Sequence, residues 1–431
     1  MKNFESLKSE ADRLRKSKKY EQALNVYREI WQDFHDMCNE WDGLNYAFCL
    51  KQEKKYHEAL VVCREVYEKY PNFESIRCSY AWCLYYIFVA PKRILKEKTF
   101  LDNAELITQL CSQSDPSGIY SRTVLRVLDF FIEKQEKPIG LCIQWCEKID
   151  QYELSDAPYF LKKYGEVIEL PSEREQFLTI KLKLLFEIKE YEGCMEICEE
   201  VFDTFDILHG ENYILFRSVA AKCYYHFGLL DKALERYKEI VEVFPAPNFI
   251  KAIADIYFKE GNLEEALKYA IDAVMCKSLP EKKLPSLRLL AAIYEAKGDA
   301  EKAKMHLQQI NAILRSKRRM PDEELDNWFN TYNIKHEYVD FRALATNLQI
   351  LWEDEKYADK ARMEGRIKAI LPNGKSGFIE TAEGDFFFTF NNVNGQPQRI
   401  FVGTPVTFFI TESYDPKHDR NSTVATSISL L

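Results

Sequence analysis

The sequence predicts a mainly α-helical protein that ends in a small five-stranded β-barrel. Two observations carry this prediction. A helical phrase recurs along residues 1–310, and residues 363–431 contain short runs in which apolar and polar side chains alternate. Turn-forming residues separate these runs, notably at 372–374 and 383–385. Five short strands in about seventy residues suit a small closed barrel.

The recurring phrase has an alanine near its centre, as in the copies at Ala59 and Ala266. A second small residue stands about twelve positions earlier, at Ala47 and Ala254, and glycine opens the turn in later copies, as at Gly261. Small residues let two antiparallel helices pack closely, and glycine permits the tight turn between them. One such pair cannot bury its apolar face alone, so successive pairs must stack.

This frame, with a period of about 34 to 40 residues, resembles the tetratricopeptide repeat. The resemblance implies a right-handed α-solenoid of about eight helical hairpins over residues 1–310. It is weakest between residues 74 and 170, where a third repeat needs about eleven extra residues in its first helix or turn.

Solenoids of this kind mostly bind a peptide or a partner protein in a concave groove. Five first-helix residues are the candidate lining of that groove: Lys222, Tyr225, Lys251, Phe258 and Arg288. The three cations among them suit an acidic peptide or a carboxylate. The alternative is that they are ordinary solvated side chains.

Residues 311–362 are expected to be helical without repeating, and we interpret them as a cap or linker, since the end of a solenoid needs covering. An amphipathic helix is predicted over 338–357. The basic cluster 315–319 either contacts phosphate or complements the carboxyl end of a helix.

Residues 363–431 resemble the cold-shock domain, a barrel of the OB type. Its first nucleic-acid motif matches 374–379 and its second matches 385–390. The resemblance implies that aromatic rings stack on unpaired bases while lysines meet phosphates. The residues that match these roles are Lys368, Lys375, Phe378, Phe387 and Phe390.

Several positions of the cold-shock pattern are lost in this chain. Ala369 stands at the tryptophan position, Ser376 at a phenylalanine position and Thr389 at the histidine position. The region also has six Lys/Arg against seven Asp/Glu, whereas a domain that follows phosphates is normally basic. Weak single-strand binding and a protein-docking role therefore both stay open, as does the possibility that the retained phenylalanines are barrel core.

Composition and motifs exclude several other functions. A net charge of -9 provides no general attraction to nucleic acid or anionic lipid, and no apolar run is long enough to span a membrane. The amino terminus lacks an apolar signal region, so a cytoplasmic location is expected. No phosphate-binding loop, dinucleotide fingerprint, zinc-protease motif or nucleophile elbow occurs. We expect no enzymatic activity and no cofactor.

Twelve cysteines raise the question of metal binding. The pairs Cys142/Cys146 and Cys194/Cys198 share helix faces, but their spacing is not that of a zinc knuckle and no histidine accompanies them. They are expected to be small buried apolar residues, with no metal site.

The sequence thus predicts an adaptor that binds a protein partner through its helical repeats and weakly contacts single-stranded RNA or DNA through its barrel, without a membrane. The alternative is a purely protein-binding scaffold whose barrel is a docking module. A bacterial stress or phage-defence complex is one setting for that alternative, although no residue establishes it.

Overall fold

The computed structural model describes residues 3–94, 96–163, 165–334, 341–394, 397–415 and 420–431. The chain divides into two compact units, Met1–Leu229 and Leu230–Leu431. Among the described helices, none combines the length and the apolar character that crossing a membrane requires.

The first unit is helical apart from one hairpin, formed by strands β1 (Tyr159–Lys163) and β2 (Glu166–Leu170) between α8 and α9. Its helices are α1 (Phe4–Lys16), α2 (Tyr20–Asp33), α3 (Glu40–Gln52), α4 (Tyr56–Lys69), α5 (Glu74–Leu84), α6 (Glu97–Leu110), α7 (Ile119–Ile132), α8 (Ile139–Cys146), α9 (Glu173–Glu187), α10 (Tyr191–Thr204) and α11 (Asn212–His226).

The second unit contains further helices and then five strands. Its helices are α12 (Leu230–Val243), α13 (Pro247–Lys259), α14 (Leu263–Met275), α15 (Leu284–Ala296), α16 (Ala300–Ser316), α17 (Glu323–Thr331) and α18 (Phe341–Lys356). Its strands are β3 (Met363–Ile370), β4 (Ser376–Thr381), β5 (Gly384–Thr389), β6 (Pro405–Asp415) and β7 (Arg420–Leu430). The mainly α fold of helical hairpins followed by a five-stranded barrel is confirmed.

The small residues of the repeated phrase are buried, as their role in close helix packing requires. None of the following is more than 1% exposed: Ala11, Ala23, Ala47, Ala59, Ala221, Ala233, Ala254, Ala266, Ala291 and Ala303. Cys194 and Cys198 are buried in the same way on α10. Substituting a larger residue at such a position would force the paired helices apart.

The turns between paired helices require a left-handed backbone. Gly228, Gly261 and Gly298 adopt φ between 75° and 79°, which glycine tolerates without steric cost. In earlier repeats lysine takes this conformation, at Lys18, Lys54 and Lys189. Since the turn forms without glycine there, the glycine signal is weaker in the first half of the sequence.

The irregular third repeat has its extra residues where the sequence analysis required them. Helix α5 continues as one π-helical segment, Tyr85–Val89, and the backbone N–H of Ala90 donates to the Tyr85 carbonyl at 2.8 Å. Helix α6 begins only at Glu97. The added length therefore lies in both the first helix and the turn.

Helices α17 and α18 complete the helical core of the second unit. Leu325 and Phe329 of α17, and Leu348 and Trp352 of α18, belong to the same buried cluster as side chains of α13–α16. The helix predicted over 338–357 is observed as α18, and residues 338–340 lie outside the described residues.

Strands β3–β7 close into a barrel with the order β3-β4-β5-β7-β6, in which β5 and β7 pair in parallel. Buried side chains such as Ile367, Ile379 and Phe388 fill its interior. Gly377 is required here, because a Cβ at this position would lie 2.3 Å from the Ala369 carbonyl oxygen and 2.7 Å from the Phe388 ring. The barrel wall thus closes around Phe388.

Candidate nucleic-acid interface

Two aromatic rings lie side by side on the outer face of the barrel. Phe378 of β4 is the direct cross-strand partner of Phe387 of β5, and the ring centroids are 5.6 Å apart in an edge-to-face arrangement. Both rings are half-buried, and neither belongs to the described barrel core. This pair supplies an aromatic surface on which an unpaired base can stack.

The two rings belong to a row that crosses four strands. Ala369 of β3 pairs with Phe378, and Val424 of β7 pairs with Phe387. The position that the cold-shock pattern fills with tryptophan is therefore next to the surviving rings, and it carries only a methyl group. Two of the four side chains in this row, Phe378 and Phe387, are therefore aromatic.

Charges flank this row, but they partly neutralise one another. Lys368 is exposed on β3, at a register shift between Ile367 and Ala369. Its ammonium is ion-paired with Asp385, whose hydrogen bond raises the pKa of Lys368. Glu380 pairs with Asp385 on the neighbouring strands. A phosphate approaching Lys368 must therefore compete with a carboxylate.

The other two predicted residues lie at the ends of β4 and β5. Lys375 is exposed in the turn before β4, where its backbone N–H donates to the Asn373 side chain at 2.9 Å. Phe390 is half-buried and packs against the barrel core, with its ring centroid 5.5 Å from that of Phe388. Phe390 therefore has a packing role in addition to the stacking role that the sequence predicts.

The buried carboxylate of Glu353 on α18 forms a hydrogen bond with the barrel. Glu353 is 1% exposed; it receives a hydrogen bond from Arg362 at 2.8 Å and another from Asn394 of the barrel at 2.5 Å. The Tyr357 ring stacks on Phe409 at 4.4 Å. These contacts set the position of the barrel on the helices of its own unit.

The groove residues predicted on the second unit are engaged within the chain. Lys251 forms an ion pair with Asp255 one turn later at 2.7 Å. Arg288 bonds Asp322 at 2.7 Å and also contacts Glu324, so that it holds the start of α17. The hydrogen bond from Arg288 lowers the pKa of Asp322.

Phe258 completes this set and packs, half-buried, against the helical core. The structure therefore gives Lys251, Phe258 and Arg288 structural contacts, and their role in binding a partner stays a prediction.

Lys222 and Tyr225, the other two groove candidates, lie on α11 in the first unit. Lys222 is exposed, and its ammonium lies 5.2 Å from the centroid of the Phe186 ring. Tyr225 is half-buried. Both are one helical turn apart on the same helix, and their contact with a partner also stays a prediction.

Sequence reasoning missed an exposed apolar surface on the first unit. On the β1–β2 hairpin, Tyr159 pairs with Leu170 and Leu161 pairs with Ile168. Each of these four side chains is at least 36% exposed. The signal was present as two short β-prone runs on either side of Gly165, which has φ 86°. A two-stranded hairpin is marginal by itself, so this exposed apolar face is a candidate interaction surface.

These features define a helical-repeat protein with tetratricopeptide-like hairpins and a terminal OB-like barrel. No family model and no curated protein sequence matches the chain. Solved structures with similar helical arrangements do occur.

Three solved structures illustrate this similarity. A human IFIT1 dimer with PPP-AAAA is 11% identical, with 78% of this chain and 73% of that chain covered and a TM-score of 0.35. A tetratricopeptide repeat protein from Parabacteroides merdae is 12% identical, with 77% and 99% covered and a TM-score of 0.29. The C-terminal part of a repeat protein from Cytophaga hutchinsonii is 13% identical, with 74% and 98% covered and a TM-score of 0.31.

Proposed function

We propose that this protein is a non-enzymatic, cytoplasmic adaptor. Its helical repeats bind a partner protein, and its barrel makes a weak contact with single-stranded RNA or DNA through Phe378 and Phe387. The observation that carries the nucleic-acid part is the pairing of these two rings outside the barrel core. Weak contact becomes effective when a bound partner holds the chain close to its target, because linkage raises the local concentration.

The expected affinity follows from the residues on the outer face. Each base stacked on an aromatic ring contributes about 1–3 kcal/mol, and two rings remain. Lys368 and Lys375 are the predicted phosphate contacts, and Asp385 already neutralises the first of them. Two contacts would make the affinity fall about sevenfold between 50 and 200 mM salt.

The decisive experiment is a fluorescence-anisotropy titration of the full chain with mixed-sequence single-stranded oligonucleotides. The double variant Phe378→Ala/Phe387→Ala should bind at least about 30-fold more weakly, since the lower limit of two stacks is about 2 kcal/mol. The matched control is Phe401→Ala, because Phe401 is 65% exposed but does not belong to the paired rings. Equal affinities in wild type and double variant would exclude the stacking face.

A second candidate function is a protein scaffold whose barrel is a docking module. The ion pair between Lys368 and Asp385, with Glu380 beside it, favours this candidate, because such a face attracts phosphate poorly. Absence of oligonucleotide binding at 50 mM salt, combined with capture of a protein partner by wild type, would support the scaffold.

The partner-binding surface is tested separately in the first unit. Leu161→Thr/Ile168→Thr, which removes apolar side chains from one face of the hairpin, tests whether the hairpin adds to the partner contact of the helical repeats. Threonine keeps the β propensity of the strands. We expect Lys222→Ala, in the predicted groove of the helical repeats, to reduce partner capture. Retention of the partner by the hairpin variant, with loss in the lysine variant, would assign binding to the groove.

A further inference from the structure

A cluster of potential metal ligands lies in the first unit, far in sequence from the barrel. Cys78 is on α5, Cys111 immediately follows α6, and Asp115 lies in the turn before α7. The Cys78 Sγ atom is 3.9 Å from the Cys111 Sγ atom and 2.6 Å from an Asp115 carboxylate oxygen. Within the described ranges, this is the one group of three or more such side chains whose ligand atoms lie within 4.8 Å of one another.

The distance between the two sulfur atoms fits a tetrahedral metal ion. Zinc binds thiolate at about 2.3 Å, which places two sulfur ligands of one tetrahedron about 3.8 Å apart. The observed 3.9 Å separation needs almost no adjustment. A disulfide would instead require the sulfur atoms to approach to about 2.05 Å, so the arrangement is closer to a metal site.

The carboxylate is held in place for the same role. The backbone N–H of Ser117 donates to one Asp115 oxygen at 2.8 Å, and the other oxygen receives the Cys78 thiol proton. A sulfur and a carboxylate oxygen on one zinc ion lie about 3.5 Å apart. When the thiol proton leaves, this oxygen needs to move by about 1 Å to become a ligand.

The charge of the cluster favours a cation. Two thiolates and one carboxylate carry three negative charges, and a divalent ion leaves one. Arg77 lies close enough to act electrostatically on both Cys111 and Asp115, and it compensates that remaining charge.

The cluster is also more accessible than two other thiol pairs of the first unit, since Cys78 is partly exposed. It borders an open cleft of about 620 Å³ whose lining includes Arg77, Cys111, Asp115 and Tyr120. This cleft provides an entry path and space for water as a fourth ligand. By contrast, the thiol pairs Cys63/Cys83 and Cys194/Cys223 are fully buried, and neither belongs to a three-ligand group among the described residues.

We propose that Cys78, Cys111 and Asp115 form a binding site for a thiolate-preferring divalent cation such as zinc, with water as the fourth ligand. On binding, each thiol releases its proton to solvent and its sulfur donates an electron pair to the metal, with no change in oxidation state. The metal would link α5 to the turn between α6 and α7, and so stabilise the irregular part of the repeat.

The first test uses cobalt(II) as a spectroscopic substitute for zinc on the reduced, chelator-treated full chain. Wild type should bind one cobalt ion with thiolate-to-metal charge-transfer absorption and the visible bands of a tetrahedral ion, and zinc should displace it. Cys78→Ser/Cys111→Ser should lose these bands, and Asp115→Asn should bind at least tenfold more weakly. Cys194→Ser, the matched control from a buried thiol pair, should keep them.

A second measurement needs no variant, so it also covers the case in which the substituted proteins fail to fold. Zinc should protect Cys78 and Cys111 of wild type from alkylation by iodoacetamide, as peptide mapping would show. Two results would overturn the proposal: no tetrahedral cobalt spectrum in reduced wild type, or zinc protection confined to other cysteines.

Discussion

His306 of α16 provides a sharp test of how the helical core of the second unit is built. The side chain is fully buried. Its Nδ1 atom lies 2.7 Å from the Lys302 carbonyl oxygen, and its Nε2 atom lies 3.0 Å from the indole nitrogen of Trp352. A carbonyl oxygen only accepts and an indole N–H only donates. The imidazole must therefore be neutral, with its proton on Nδ1.

Because the neutral His306 ring is buried, the free energy of unfolding depends on pH. Burial lowers the pKa of His306 to about 4, from an ordinary value of 6.5. As the pH falls below 6.5, His306 becomes protonated in the unfolded chain but stays neutral in the folded protein. The free energy of unfolding therefore decreases from about pH 6.5 down to about pH 4. At pH 5 the loss relative to pH 7 is about 2 kcal/mol from this residue alone.

The assay compares wild type with His306→Gln in urea unfolding at pH 7 and pH 5, followed by tryptophan fluorescence. Glutamine offers an acceptor for Trp352 and a donor for the Lys302 carbonyl, but it does not titrate. Wild type should therefore lose about 2 kcal/mol more than the variant on acidification, because all other titrating groups are common to both proteins. Equal losses, or an imidazole that titrates near pH 6.5 by NMR in the folded protein, would refute the proposed burial of a neutral ring.

Two further substitutions probe the barrel. Ala369→Trp adds a third ring beside Phe378. It should tighten oligonucleotide binding about fivefold or more, because one stack contributes at least about 1 kcal/mol. Fluorescence anisotropy would measure the affinity, and an unchanged value would show that bases do not bind at this row. Glu353→Ala removes the buried carboxylate that Arg362 and Asn394 share. We expect the unfolding free energy of this unit to fall by about 2–3 kcal/mol, within the range for hydrogen bonds to a charged group. Unchanged protease sensitivity of the α18–β3 connection would contradict that role.

Most of the fold was predictable because its signals are local. The buried alanines recur at fixed spacing, since each repeat solves the same packing problem between two helices. The strands of the barrel alternate in the period of two that a half-buried strand requires. The spacing of the repeats also predicted the extra residues of the irregular third repeat. Its π-helical segment Tyr85–Val89 was not predictable, because it depends on hydrogen bonding that no residue pattern specifies.

The sites were less predictable, because they depend on which residues become neighbours in space. Arg288 is half-buried on the first helix of its pair, and its partners Asp322 and Glu324 stand 34 and 36 residues later in the chain. Cys78 and Cys111 are 33 residues apart. The cysteine pairs of α8 and α10 share a helix face and are visible in the sequence, whereas Cys78 and Cys111 become neighbours only through the packing of α5 against the end of α6.

The residues that resemble the cold-shock motifs divide into two groups once their packing is known. Gly377, Ile379 and Phe388 are required by the closed barrel, since a Cβ at Gly377 would collide with Phe388 and the other two fill the interior. Their presence therefore reflects the fold and says nothing about binding. Phe378 and Phe387 are different, because the described core does not include them and a barrel closes equally well with polar side chains on its outer face. Stacking on unpaired bases consequently depends on these two rings alone.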